Sequence, residues 1–214
     1  MPYRKYFSAI TTVAAILAVP LSADAAFVTS AAAFDAANPG LTLITFEGIT
    51  GGVATYDASM TPGATITSPA PLVVDSSVCG AASDHFANNT FGGSATIAFA
   101  PQVNAIGFNI ALDGGLCGSG VVDGTATVSL FSGATLLDTQ TFTTASLTSF
   151  STFAGWSGFG LLDKLSIVVN SNNDLLNLDN LRYGIAAQAV PEPGTLALVG
   201  LSLAGLAASR RRKA

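Results

Sequence analysis

The chain contains a single histidine, His85, directly after Ser83 and Asp84. A nucleophilic serine needs a base, and His85 is the only imidazole that could supply one. Neighbours in a chain seldom present triad geometry, so a lone histidine in the loop after Cys79 reads more simply as a surface residue. Carboxylates are more plentiful: eleven lie between Asp35 and Asp179. Glycoside hydrolysis needs two of them paired, one with a raised pKa. With eleven acids some pair is inevitable, and most sit beside Gly, Ser or Asn in turn sequences, so their number points to no active site. Asp113-Gly114-Gly115 and Gly118-Ser119-Gly120 are not phosphate loops, because no Lys-Ser/Thr follows either. Sugar binding asks for less, an exposed ring for stacking and a few polar groups for hydroxyls. Trp156, the only tryptophan, lies in the glycine-rich stretch Ala154–Gly160 and is the candidate ring, with Tyr56 second. The competing expectation is that Trp156 plugs a core, since large aromatics are mostly buried. Alternation along a strand then puts Phe153 on the opposite face. We expect a non-enzyme.

Cys79 and Cys117 are the only cysteines. Their compartment decides what they do, and the two ends of the chain indicate it. Arg4 and Lys5 form a positive n-region, Phe7 to Leu21 an apolar h-region, and Ala23-Asp24-Ala25 a small-x-small cleavage site. That is a secretory signal peptide over residues 1–25, not part of the fold. At the other end Val190-Pro191-Glu192-Pro193 breaks regular structure, because proline fixes φ and restricts the residue before it. Leu196 to Ala208 carries no charge, and Arg210, Arg211, Arg212 and Lys213 follow together. An apolar helix with a cytoplasmic cationic anchor has this order. Thr195 to Ser209 is 15 residues, about 22 Å of helix against a bilayer core of roughly 30 Å, which suits a temporary anchor. In an oxidising compartment the cysteine pair reads as a disulfide, and closing its loop stabilises by roughly 3–4 kcal/mol through chain entropy. One histidine and no CxxC make a zinc site a poor expectation.

Between these ends the charge balance changes. Only Lys164 and Arg182 remain against eleven carboxylates, a net charge near −9. A nucleic-acid backbone would be repelled. Residues 26–185 are long enough for one domain with a full core, and 186–189 form a linker to the segment at 190–214. The domain reads as all-β. Ser30 can cap one short helix, ended by Asn38-Pro39-Gly40. Beyond it apolar residues alternate: Ile97 and Phe99; Ile106, Phe108, Ile110 and Leu112; Val128 and Leu130; Leu165, Ile167 and Val169. Such period-two stripes are half-buried strands. Asp113-Gly114 and Ser132-Gly133 suit tight connections between them, and Gly48–Ala82 reads as long loops with short strands inside. Nine or ten strands at this spacing predict a two-sheet antiparallel sandwich, jelly-roll-like, flanked by an N-terminal signal helix and a C-terminal hydrophobic helix.

The order of Val190-Pro191-Glu192-Pro193, apolar run and Arg cluster resembles the PEP-CTERM sorting signal of exported bacterial proteins. The resemblance implies passage through the secretion machinery, an inner-membrane intermediate, and processing by a membrane-embedded exosortase. It also implies delivery to the cell surface or extracellular matrix, where such proteins are associated with polysaccharide. The stretches Leu43–Gly48, Ala98–Phe108 and Leu178–Gly184 resemble a recurring ectodomain of these proteins, similar in turn to jelly-roll carbohydrate-binding modules. In those modules an early-strand Glu and a last-strand Asp share a structural Ca²⁺, which carried over would be Glu47 and Asp179. The expected function is a structural or adhesive matrix component. A carbohydrate-binding module is the alternative, and a secreted hydrolase a further one.

Overall fold

The structure, a computed structural model, describes residues 25–47, 53–76, 84–88, 92–114, 124–143, 151–171 and 174–186. The signal peptide up to Asp24, the end of the linker, the segment at 190–214, Cys79 and Cys117 lie outside the described residues. The described residues belong to one unit, Ala23–Gln188.

Eleven strands and two short helices follow in the order β1 (Ala26–Val28), α1 (Ala31–Ala37), β2 (Thr42–Ile44), β3 (Val53–Thr55), a 3-10 turn (Ala58–Met60), β4 (Ala64–Thr67), β5 (Leu72–Ser76), β6 (Asp84–Asn88), β7 (Ser94–Gly114), β8 (Ala126–Ser132), β9 (Thr135–Phe142), β10 (Thr152–Val169) and β11 (Asp174–Gly184). Every pairing is antiparallel. The expected alternation holds where it was read: Ile97, Ile106, Phe108, Ile110, Leu112, Val128, Leu130, Leu165 and Ile167 are all fully buried. The short helix forms as expected, with Ser30 Oγ accepting from the Ala33 amide at 3.3 Å.

One feature was not legible. β7 and β10 are 21 and 18 residues long, and each serves two halves of a single sheet. Ser94–Ala98 pairs with Lys164–Val168, whereas Ala105–Ile110 pairs with Thr152–Ser157. The ladder slips between Ser157 and Lys164, where Gly158 and Gly160 adopt φ of +82° and +77°. Only glycine takes that conformation without a steric cost. The glycines around Trp156 therefore make the corner of β10 and do not present a loop. One half runs β4-β7-β10-β8-β9; the other runs β3-β5-β6-β11-β7-β10-β1, with β2 on β11 beyond β6. Side chains from both halves form one core that joins Ile97, Leu165 and Val128 to Phe108, Ile110 and Leu178. Each such side chain stabilises by about 1.5–3 kcal/mol relative to exposure. Asp113-Gly114 is not a turn, because β7 continues through it. Ser132-Gly133 is one, a two-residue connection with Gly133 at φ +58°.

A second, smaller core lies on the opposite face of the β11 half. Phe34 of α1 is fully buried against Phe153, with ring centroids 5.5 Å apart. Gly107 and Gly155 are cross-strand partners beneath these rings. A Cβ on Gly107 would lie 2.7 Å from Phe153 Cζ, and one on Gly155 2.6 Å from Phe34 Cδ2. Two glycines side by side thus make the socket that seats the helix. Arg182 covers the outer side of Phe153 at 5.4 Å and pairs with Asp35 at 2.7 Å.

Candidate functional site

The residues named from sequence go to different places. Trp156 is buried in the main core, 0% exposed, among Phe27, Phe108 and Phe142, with ring centroids 5.1–6.1 Å away. Its Nε1–H donates to Asp138 Oδ2 at 2.9 Å, from β10 in one half to β9 in the other. Gln140 Nε2 holds the same carboxylate at 3.2 and 3.3 Å. The stacking role considered for Trp156 is thereby corrected: a ring with no exposed face offers a sugar nothing to stack on. Phe153 does face the other way, into the second core. Tyr56, the second ring considered, is tied down as well, its hydroxyl 2.6 Å from Thr61 Oγ1 and accepting from the Ile66 amide at 3.1 Å. His85 lies in β6 opposite Asp75 of β5, and Ser83 is outside the described residues.

Glu47 and Asp179 come from elements that do pair. β2 bonds to β11 with Ile44 opposite Leu181. Carrying that register on sets Phe46 level with Asp179 and Glu47 one step beyond. The junction is irregular on both sides. Phe46 and Asn180 have φ of +56° and +51°, and the β11–β7 ladder slips between Asp179 and Arg182. Non-glycine residues in the left-handed region each cost on the order of 1–3 kcal/mol and persist only where the surroundings impose them. Asp179 is buried, at 2% exposed. Its Oδ1 accepts from the Asn180 amide at 2.6 Å and its Oδ2 from Asn180 Nδ2 at 2.9 Å. Arg182 Nη1 donates to the Asn180 carbonyl at 2.7 Å. Beside this junction an open cleft of about 330 Å³ is lined by Leu43, Ile44, Phe46, Met60 and Val74, with exposed Glu47 at its rim. No group of three or more His, Cys, Asp and Glu side chains placed to hold a metal occurs among the described residues. A Ca²⁺ ion takes six to eight oxygens, so here it would draw mainly on backbone carbonyls. A carboxylate has about four acceptor positions, and the two Asn180 bonds leave Asp179 some capacity.

Sequence reasoning missed the irregular backbone at Phe46, because Phe-Glu after an alternating run carries no turn signal. Asn180 could have been suspected, since asparagine tolerates the left-handed region better than most residues.

Residues 189–213 match the family of the PEP-CTERM protein-sorting motif. Among the curated proteins none matches the chain. Several solved structures are similar over most of the domain. The C-terminal family 22 carbohydrate binding module of Clostridium thermocellum Xyn10B is 14% identical, with a TM-score of 0.39, covering 72% of this chain and 98% of that one. A mutant family 29 carbohydrate binding module is 11% identical over 72% and 98%, at a TM-score of 0.31. A Clostridium stercorarium module solved with cellobiose is 18% identical over 64% and 100%, at 0.30. The chain is all-β and antiparallel, like these modules, and it carries a PEP-CTERM sorting motif after its last described strand.

Proposed function

We propose that the chain is an exported, non-catalytic protein of the cell surface or extracellular matrix, acting as a structural or adhesive component. The observation that carries this is the sorting motif at 189–213. Val190-Pro191-Glu192-Pro193, the apolar run and Arg210–Lys213 lie in the order a temporary anchor requires. In this reading the signal peptide is cut after Ala25. The apolar segment then holds the chain in the inner membrane while an exosortase acts near the motif. Only the acidic middle is delivered, and its Cys79 and Cys117 close a disulfide. Mass spectrometry of the mature protein, in cells carrying the natural motif and in cells with Pro191, Glu192 and Pro193 all replaced by alanine, tests it. Trimming at both ends in the first and retention of the C-terminal segment in the second are expected. An intact chain in the cytosol, or delivery unchanged by the replacement, refutes it.

Glu47 and Asp179 are proposed to hold a structural Ca²⁺, supported by the pairing of β2 with β11 and the left-handed backbone at Phe46 and Asn180. A rise in Tm on adding CaCl₂, lost in Asp179→Asn, is the expected result. Identical melting with CaCl₂ and with EDTA would remove the idea.

A further inference from the structure

We infer that the outer face of the β4-β7-β10-β8-β9 half is a docking surface for an extended, neutral, hydroxyl-rich polysaccharide. The register lines up one hydroxyl per strand. Thr67 of β4 lies opposite Thr96 of β7, Thr96 opposite Ser166 of β10, Ser166 opposite Ser129 of β8, and Ser129 opposite Thr139 of β9. This row crosses five strands without a break. At ~4.8 Å per strand it is roughly 19 Å long, and its step is close to the length of one pyranose ring along an extended chain. Residues on either side along each strand point inward, Ile97, Leu165, Ile167, Val128 and Leu130 all being fully buried, so the row faces outward.

The chemistry of the face is consistent along its width. Ser129 Oγ and Thr139 Oγ1 are 3.0 Å apart, as are Thr127 Oγ1 and Thr141 Oγ1 in the next row. A hydroxyl pair that shares one hydrogen bond still offers one O–H and three lone pairs. The surface therefore both donates and accepts, as a polyol does, whereas carboxylate- or sulfate-bearing polymers chiefly accept. Exposed Val168, between Ser94 and Thr127 in that next row, adds an apolar contact suited to a sugar C–H face. In the rows on this face the one charged residue is Lys164, and its ammonium lies over the Phe131 ring at 4.7 Å. The rest of the domain is acidic, near −9, and repels anionic polymers. A neutral glycan is the hydroxylated polymer this field admits.

The inference deepens the matrix reading by naming a partner class. It is tested on folded protein, so a failure of export leaves its outcome untouched. Protein purified from the producing cells is incubated with microcrystalline cellulose, an insoluble β-1,3-glucan and chitin, with alginate beads as the anionic comparison, and depletion from solution is measured. Retention on at least one neutral polymer is expected, with little on alginate. Ser166→Glu, in the centre of the row, should lower the bound fraction at least tenfold. The double variant Thr96→Val with Ser166→Ala removes two hydroxyls without adding charge and should lower it several-fold. Should the glutamate variant fail to fold, by circular dichroism and melting, the double variant decides. Glu47→Gln, in the cleft, should bind as the natural protein does. No retention on any neutral polymer, equal retention on alginate, or full retention by the double variant overturns the inference.

Discussion

The socket beneath α1 makes a quantitative prediction. Gly155 has ordinary extended backbone, so alanine there meets no conformational penalty and even gains about 0.5–1 kcal/mol over glycine in a strand. The obstacle is steric. The new methyl carbon would sit 2.6 Å from Phe34 Cδ2 and 2.8 Å from Phe153 Cε1. Both rings are nearly or fully buried, at 0% and 3% exposed, so neither can swing into solvent. Overpacking of this kind costs about 1–3 kcal/mol, and the net loss should be about 1–2 kcal/mol, or roughly 2–8 °C in Tm for a domain of this size. Urea unfolding followed by tryptophan fluorescence reads it directly. Gly155→Ala in a Phe34→Leu background supplies the decisive comparison. With one ring removed the added methyl has room, so the two changes should offset each other in a double-mutant cycle. Gly160→Ala is the control of opposite type: nothing lies within 4 Å of its Cβ position, but φ is +77°. Its cost, about 1–2 kcal/mol from backbone handedness, should be indifferent to Phe34. A neutral or stabilising Gly155→Ala, or additive effects in the cycle, would refute the socket.

Three further outcomes follow from particular contacts. Trp156→Phe keeps most of the buried ring but strips Asp138 of its indole donor, so stability should fall by about 1.5–3 kcal/mol, the worth of a hydrogen bond to a charged group; an unchanged urea midpoint would show that the bond across the core contributes nothing. Tyr183 is buried, its hydroxyl donates to the Pro62 carbonyl at 2.6 Å, and burial first, then the neighbouring Tyr56, pushes its pKa above 10.0. A raised folded-state value means this contribution is present below about pH 10 and lost as pH rises through the folded pKa; ultraviolet titration should find one late-ionising tyrosine that vanishes in Tyr183→Phe. Alkylation of the denatured, unreduced exported protein should leave its mass unchanged, because Cys79 and Cys117 are joined, and two alkyl groups added without reductant would count against the pair.

The strands were legible wherever one face is buried, because a period of two is written into Ile106, Phe108, Ile110 and Leu112 and into Leu165, Ile167 and Val169. α1 was legible from Ser30 and Asn38, which are local signals. Joining was harder to read. Asp113-Gly114 has turn composition yet stays in β7, where pairing with β11 outweighs local propensity. The glycines from Gly155 to Gly160 signalled a loop, but Gly155 seats Phe34 while Gly158 and Gly160 turn β10 from one half to the other. The hydroxyl row could not be seen at all. Thr67, Thr96, Ser166, Ser129 and Thr139 are scattered over 73 positions, and only register brings them into line.

β11 has a mechanical consequence. It is the last described strand, and hydrogen bonds run along both of its edges, to β7 on one side and to β6 and then β2 on the other. A load applied beyond Gly184 is drawn along the axis of an interior strand. Its bonds then share the tension in shear, many at once, instead of opening one after another as a peeled edge strand would. A chain held from that end resists being torn loose by flow better than one held through β9 at the border of the sheet.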